Sequence, residues 1–437
     1  MHYARILICL SATVIAWPTD ASAQEQDQKE EDVGVGTEVD DAHEREQEKS
    51  EQGAHAPARQ EIEAQSEPPK RSDETTDPDQ KRFTFGAYIE TFYQWNFNVP
   101  SNGITNQRGY DNRHNTIALS NAVLDAGFRA KNLMARLALQ AGLTPAMQYA
   151  DEPKVPGSDS ANASDDKLWR HLQRASAGWQ PTEMLLLEAG IFLSAYGVES
   201  LAVKDNWNWS RSNAFTRLPN YQTGFKGTVH LSPRWDVSGG VYNGWNSVVD
   251  NNDEKSFFVQ GQYKAKEEFT TAVAYYAGVE REGGAKEGRP WRHVVQSYAQ
   301  WDPLSWFEVS GEADGGFENN NFGFHWFAAA VGWARVKIFE WLYFAGRGEH
   351  VWEDPSANAQ GESRPILFSS KHVTSGTITA DVRPIKGLSA RLEARHDRAT
   401  SDLYFKGQVP GDGSDSNPYI PNSTRQTTLL FGVTAWF

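Results

Sequence analysis

Few residues in this 437-residue chain are spaced for catalysis. His114 stands beside Asn115 and six residues before Ser120, a set that could pair a base with a hydroxyl nucleophile, as in a membrane phospholipase dyad. Arg113 precedes it at the start of a strand-like run, so the simpler reading is an interfacial or lumenal histidine. No Gly-x-Ser-x-Gly elbow, phosphate-cradling glycine loop or His-Glu-x-x-His pair occurs. Two acidic loops, 250–254 and 412–415, carry oxygen ligands of the kind calcium takes, but neither has the spacing of a twelve-residue calcium hand. Solvated loops are expected there, with no metal site and no cofactor. The densest mixture of charge and aromatic surface lies in 196–219: Glu199, Lys204, Asp205, Arg211 and Arg217, with Trp207, Trp209 and Phe215. Such a set has no nucleophile to activate. Its chemistry would be electrostatic, a transverse field that orders polar solutes.

What could position that loop depends on the rest of the chain, which divides into three parts. Met1 to Ala23 has Arg5, an apolar run from Ile6 to Trp17 and a small-x-small ending at Ala21-Ser22-Ala23, the order of a secretory signal peptide. Its removal would take away Cys9, the chain's one cysteine, and with it disulfides, thiolate catalysis and cysteine-bound metals. Residues 24–82 hold 19 acidic and 8 basic side chains and no aromatic residue. That stretch has too little apolar surface to offset its ordering entropy, so a disordered acidic tether on the periplasmic side is expected. A net charge of −15 argues against a nucleic-acid partner, which would need a basic patch. After the leader no uncharged run reaches the ~18 residues a membrane helix requires.

Residues 83–437 contain all 22 Phe and nearly all of the 16 Trp and 15 Tyr, although the mean hydropathy of the chain is only −0.62. Many aromatics at low mean hydropathy fit strands that are apolar on one face only. The final strand shows this: Leu429, Phe431, Val433, Ala435 and Phe437 alternate with Thr428, Leu430, Gly432 and Thr434. Leu388, Ala390, Leu392 and Ala394 likewise alternate with Arg391, Glu393, Arg395 and Asp397. A charge facing lipid at the midplane would cost ~2–4 kcal/mol, so the charged faces must point into water. Seven tight turns (129–132, 180–183, 232–234, 265–268, 302–304, 336–337, 384–386) and eight long loops (98–113, 150–167, 196–219, 245–254, 280–291, 316–322, 351–370, 399–424) predict sixteen strands. The expectation is an all-β, up-and-down antiparallel transmembrane barrel over 83–437, with short turns in the periplasm and long loops outside. At this size the bore is too wide for side chains to fill.

Three sequence blocks carry a resemblance to a known family. The first is Tyr93-x-Trp-Asn-Phe-Asn-x-Pro-Ser-Asn102, followed by Asn112-Arg-His-Asn115. The second runs through Gly190-x-Phe192, Gly197-x-Glu-Ser200, Asp205-Asn-Trp-Asn-Trp-Ser-Arg-Ser212, Leu218-Pro219 and Thr223-Gly224. The third is Val241-Tyr-Asn-Gly-Trp-Asn-Ser-Val-Val-Asp-Asn-Asn252 with Lys255-Ser256. In order and spacing they resemble the beta-barrel porin-2 (OmpL-like) family, over most of 83–264; 269–437 matches as general barrel pattern. The resemblance implies an outer-membrane pore-forming barrel. The acidic segment is not part of that pattern.

Porins narrow their bore with an inward loop lined by charges. Here the candidate is 196–219, with Glu199, Lys204, Asp205, Arg211 and Arg217 at the constriction. Arg113, Arg136, Arg170, Arg174, Arg391, Glu393 and Arg395 are candidates for the lumenal wall. Any one of them could equally belong to a structural ion-pair network across strands. Acids and bases nearly balance in the barrel, which does not favour strong anion selectivity. Leu429, Phe431, Val433 and Phe437 resemble the terminal insertion signal read by the barrel-assembly machinery. The function expected is passive diffusion of small hydrophilic solutes by a non-enzymatic barrel, monomeric or homotrimeric, in contact with outer-membrane lipid. The alternative is a barrel scaffold for a hydrolase or phospholipase, or for a surface interaction.

Overall fold

The computed structural model describes residues 81–155, 163–265, 268–358 and 361–437. The expected leader, and the acidic segment up to residue 80, lie outside the described residues.

Strand-forming alternation runs almost without a break from β1 (Arg82–Asn96) to the C-terminus. It continues through β2 (Thr116–Ala130), β3 (Leu133–Ala141), β4 (Leu172–Thr182), β5 (Leu185–Leu193), β6 (Tyr221–Ser232), β7 (Trp235–Tyr242), β8 (Ser256–Ala265) and β9 (Phe269–Val279). The second half holds β10 (Trp291–Leu304), β11 (Phe307–Asn320), β12 (Gly323–Phe339), β13 (Leu342–Asp354), β16 (His372–Ile385), β17 (Leu388–Ala399) and β18 (Arg425–Trp436). Two short strands, β14 (Ala357–Asn358) and β15 (Gly361–Glu362), pair only with each other inside a loop. The other sixteen form one closed antiparallel barrel, sealed by β1 against β18 with Tyr88 opposite Trp436. Closure leaves no edge strand, the condition for crossing a bilayer with strands.

The two faces separate as the alternation predicts. On β18 Phe431 is 50% exposed, and Phe437 just past its end 84%, while the alternate residues Leu430 and Thr434 are buried. Outward aromatics collect at both rims: Phe83, Trp179, Trp235, Trp301, Trp306, Phe339 and Trp341 at the turn side, and Trp291, Phe317, Phe324 and Trp326 at the loop side. Between these belts the outer wall is aliphatic, with Leu137, Ile378 and Leu392 exposed. Such a band, apolar at mid-height and aromatic at each boundary, is the outer surface of a membrane barrel. Leu392→Arg is expected to cost ~2–4 kcal/mol of barrel stability. The check is heat-modifiable migration after folding into vesicles in a urea series.

Two turn positions and one loop depart from the sequence expectation. The turns expected at 302–304 and 336–337 lie at 305–306 and 340–341, because β10 and β12 run on through their aromatic ends. Residues 316–322 form no long loop: β11 continues to Asn320 and a two-residue turn leads into β12. The polar run Glu318-Asn-Asn320 looked like a loop because Glu318 is charged. In the fold Glu318 points inward, where Arg281 and Arg292 hold it at 2.5 and 3.1 Å.

Candidate functional site

Residues 194–220 join β5 to β6 and fold into the bore. An irregular segment inside a protein brings backbone N–H and C=O groups that need partners. Here the wall supplies them with charge. Glu393 of β17 accepts the amides of Trp209 and Ser210 at 2.6 and 3.0 Å. Glu90 of β1 accepts that of Val203 at 2.6 Å, Glu312 of β11 that of Val198 at 2.9 Å, and Glu349 of β13 that of Asn213 at 2.5 Å. Guanidinium groups serve the carbonyls. Arg391 donates to Val203 and Asn208 at 2.9 and 3.2 Å, and Arg395 to Arg211 at 2.7 Å. Arg347 donates to the Ser210 and Arg211 carbonyls and pairs with Glu199 at 2.9 Å. Alternating acids and bases on β13 and β17 thus form a mould for a loop backbone, and charge-assisted bonds of this kind are the strong ones.

Shape matches charge at two glycines. Gly197, at φ +81°, lies so close to Glu312 that a Cβ would stand 2.7 Å from its carboxylate. Gly432 of β18 leaves room for the Trp209 ring, which a Cβ would meet at 2.4 Å. Trp209 also packs on Phe92, ring centroids 6.2 Å apart. The loop ends in a short helix, Asn213–Arg217, whose first turn is capped by the Ser212 hydroxyl accepting the Phe215 amide at 3.1 Å.

The loop meets β1, β11, β13, β17 and β18 and touches β8 and β10 at its start, where Gln260 and Gln296 bond Ala195 and Gly197, and open space remains beside it. A cleft runs between Tyr196, Glu199, Leu201 and Phe215 of the loop and the inward side chains of β6, β7, β8 and β10: Lys226, Thr228, Asp236, Ser238, Gln260, Gln262 and Tyr298. Lys226 pairs with Glu188 at 2.8 Å and lies over the Phe192 ring, and Asp236 holds His230 at 2.7 Å. The lining mixes apolar side chains such as Leu193, Leu201 and Phe215 with polar groups and both signs of charge.

A family model described as "Putative beta-barrel porin-2, OmpL-like" matches residues 82–437. The chain belongs to that family. Among curated proteins no significant match is found. Solved structures share the fold at low identity. The anion-selective porin of Comamonas acidovorans is 10% identical with a TM-score of 0.53, over 82% of this chain and all of that one. OmpT of Vibrio cholerae, in its trimer form, is 10% identical with a TM-score of 0.51, over the same shares. The outer membrane channel DcaP of Acinetobacter baumannii is 9% identical with a TM-score of 0.50, over 82% of this chain and 97% of that one.

In this porin the residues singled out from sequence fall into three groups. Glu199, Arg211, Arg391, Glu393 and Arg395 meet where the loop touches the wall, all buried or half-buried. Arg211 donates to the carbonyls of Trp209 and Leu201 and lies over the Tyr110 ring. Lys204 pairs with its neighbour Asp205 at 2.7 Å, and Arg217 bonds Gln107 and covers the Phe368 ring. Arg136 and Arg174 stand elsewhere on the inner wall, against Asp125 and against Glu188 at 3.5 Å. Arg113 and Arg170 lie in the first and second loops, half-buried, Arg113 in a bridge with Ile104.

The dyad residues find other partners: His114 Nδ1 accepts the Asn96 amide at 3.0 Å, and the Ser120 hydroxyl bonds Thr144 at 3.1 Å. In the acidic loops Asp250 pairs with Lys255, Glu254 with Arg289, and Asp412 accepts the Ser414 amide. Among the described residues no three metal-ligating side chains converge. Sequence reasoning missed Arg347 and Glu349, although they repeat the acid–base alternation of β17. It also missed Lys226 and Asp236, which stand in ordinary polar strands. Gly432→Leu is expected to evict the Trp209 ring at a cost of about 1–3 kcal/mol, read as a red-shifted and more quenchable tryptophan emission.

Proposed function

We propose that small hydrophilic solutes diffuse passively through the cleft between residues 194–220 and the β6–β10 wall. The observation that carries this reading is the space left beside the docked loop: β1, β11, β13 and β17 take up most of its bonded amides, and a cleft that includes Glu199, Lys226 and Asp236 remains toward β6, β7 and β8. Lys226, Asp236 and Glu199 are the charges nearest that route. Arg347, Arg391, Glu393 and Arg395 act one step away, by holding the loop that sets its width. Lys204, Arg217, Arg136 and Arg174 contribute to the field around it. The reading is non-catalytic, supported by the separate partners of His114 and Ser120.

In the same reading the barrel sits in the outer membrane with residues 24–82 on the periplasmic side, as a monomer or homotrimer. Its last strand, with Leu429, Phe431, Val433 and Phe437, is what the assembly machinery recognises. Planar-bilayer recording of the purified mature protein tests the function. Steady ohmic steps, reduced by small sugars or amino acids in the bath, are expected. Lipid hydrolysis without conductance would replace the pore with an enzyme.

A further inference from the structure

The outer wall carries a second polar feature, unrelated to the bore. Arg398 on β17 and Arg425 on β18 stand directly opposite each other in the ladder, and both side chains are exposed on the outward face. Like charges directly opposed across two strands are destabilising unless something neutral or negative intervenes. Among the described residues neither guanidinium has a carboxylate or carbonyl partner, and nor does the Lys406 ammonium beside them. The three cations, with His396 and a single carboxylate, Asp402, line a cleft between the ends of these strands and the loop 400–424. Its height is fixed by the strands: the next outward positions but one are Ala394 and Leu429, then come Leu392 and Phe431, all on the apolar band. The cations therefore lie at the level of lipid headgroups on the long-loop side.

The wall just below is unusually flat. In register with His396 lie Gly376 of β16, Gly348 of β13 and Gly332 of β12, in one row across three neighbouring strands. A Cβ added at any of the three would meet nothing within 4 Å. Glycine inside a strand gives up side-chain packing, and it marks places where something approaches the backbone closely. At ~4.8 Å between strands the three positions form a trough that spans about 10 Å. It opens beside His396 and is flanked by His350 and Thr374 above and Ile378 below. An acyl chain fits such a floor.

We propose that this sector binds a phosphorylated lipid of the outer leaflet, its phosphate between Arg398, Arg425 and Lys406 and one acyl chain along the Gly332–Gly348–Gly376 row. The inference rests on the outer-membrane placement of the barrel and not on what its bore conducts. Native mass spectrometry of the full mature chain, titrated in detergent with diphosphoryl lipid A, tests it. A phosphate-free glycosyl diacylglycerol and inorganic phosphate are the comparison probes. The R398Q/R425Q variant is expected to bind lipid A at least about tenfold more weakly, because each guanidinium removed takes a charged hydrogen bond with it. R398K/R425K should bind nearly as the parent does. G348L/G376L, which fills the trough, should weaken lipid A severalfold while conductance stays unchanged. Heat-modifiable migration identifies any variant that has not folded, and R398K/R425K keeps the comparison open in that case. Equal binding of the phosphate-free lipid, or of R398Q/R425Q, would overturn the proposal. Displacement of lipid A by inorganic phosphate alone would make the cleft a simple anion site and overturn it as well.

Discussion

Replacing Glu393 by alanine is expected to release residues 194–220 from the wall and raise single-channel conductance severalfold, with open-state flicker. One carboxylate accepts two consecutive loop amides, those of Trp209 and Ser210, and also the Thr379 hydroxyl at 2.8 Å. Its removal leaves these donors buried without an acceptor, and it leaves Arg391 and Arg395 on the same strand with one counter-charge fewer. Breaking a buried charge arrangement by deleting one member costs about 3–5 kcal/mol. A loop docked by a few such contacts would then spend a measurable share of its time undocked. Trypsin supplies a second readout, because Lys204, Arg211 and Arg217 become cleavable only when 194–220 leaves the wall. Glu393→Gln keeps an acceptor and should lie between parent and alanine. Parent-like conductance and protease resistance in Glu393→Ala would mean that the loop is held by shape alone, through Trp209 and Gly432.

Lys226→Glu is expected to turn the bore toward cations. Lys226 is a cation of the cleft lining and neutralises Glu188 together with Arg174. The substitution changes local charge by two and sets two carboxylates side by side. In a potassium chloride gradient the reversal potential should move toward the cation limit by roughly 10 mV or more, a differential of about 0.2 kcal/mol per charge. The Arg391→Gln variant is the contrast. That guanidinium is fully buried against the Val203 and Asn208 carbonyls, so its loss should change loop stability and gating before it changes selectivity. Should Arg391→Gln move the reversal potential as far as Lys226→Glu, the solute path would run along β17 and not along β6.

The two variants separate charges that look alike in the sequence. Arg391, Glu393, Arg395 and Asp397 alternate so regularly that their inward orientation follows from period two alone, and β17 has it. What they face inside does not follow. A lumenal charge that meets water helps define a field. One that meets a loop amide or carbonyl is part of the scaffold. The choice depends on where residues 194–220 come to rest, which is a matter of contacts 99 to 188 positions apart in the chain, such as Gly197 with Gln296 and Val203 with Arg391.

Barrel class, the apolar and polar faces of the strands, the aromatic rims and the choice of 196–219 as the candidate inward loop were legible in the sequence itself. Each depends on local periodicity, on composition or on a local concentration of charged and aromatic residues. The length of β11 does not follow from local residue types: Glu318 has the character of a loop residue until Arg281 and Arg292 are beside it. Tertiary structure alone decided which wall binds the loop and which lines the cleft, and that the glycines of three strands fall into one row beneath two opposed arginines. Those outcomes are set by register around a closed sheet. Register joins residues by their height on the barrel and not by their distance along the chain.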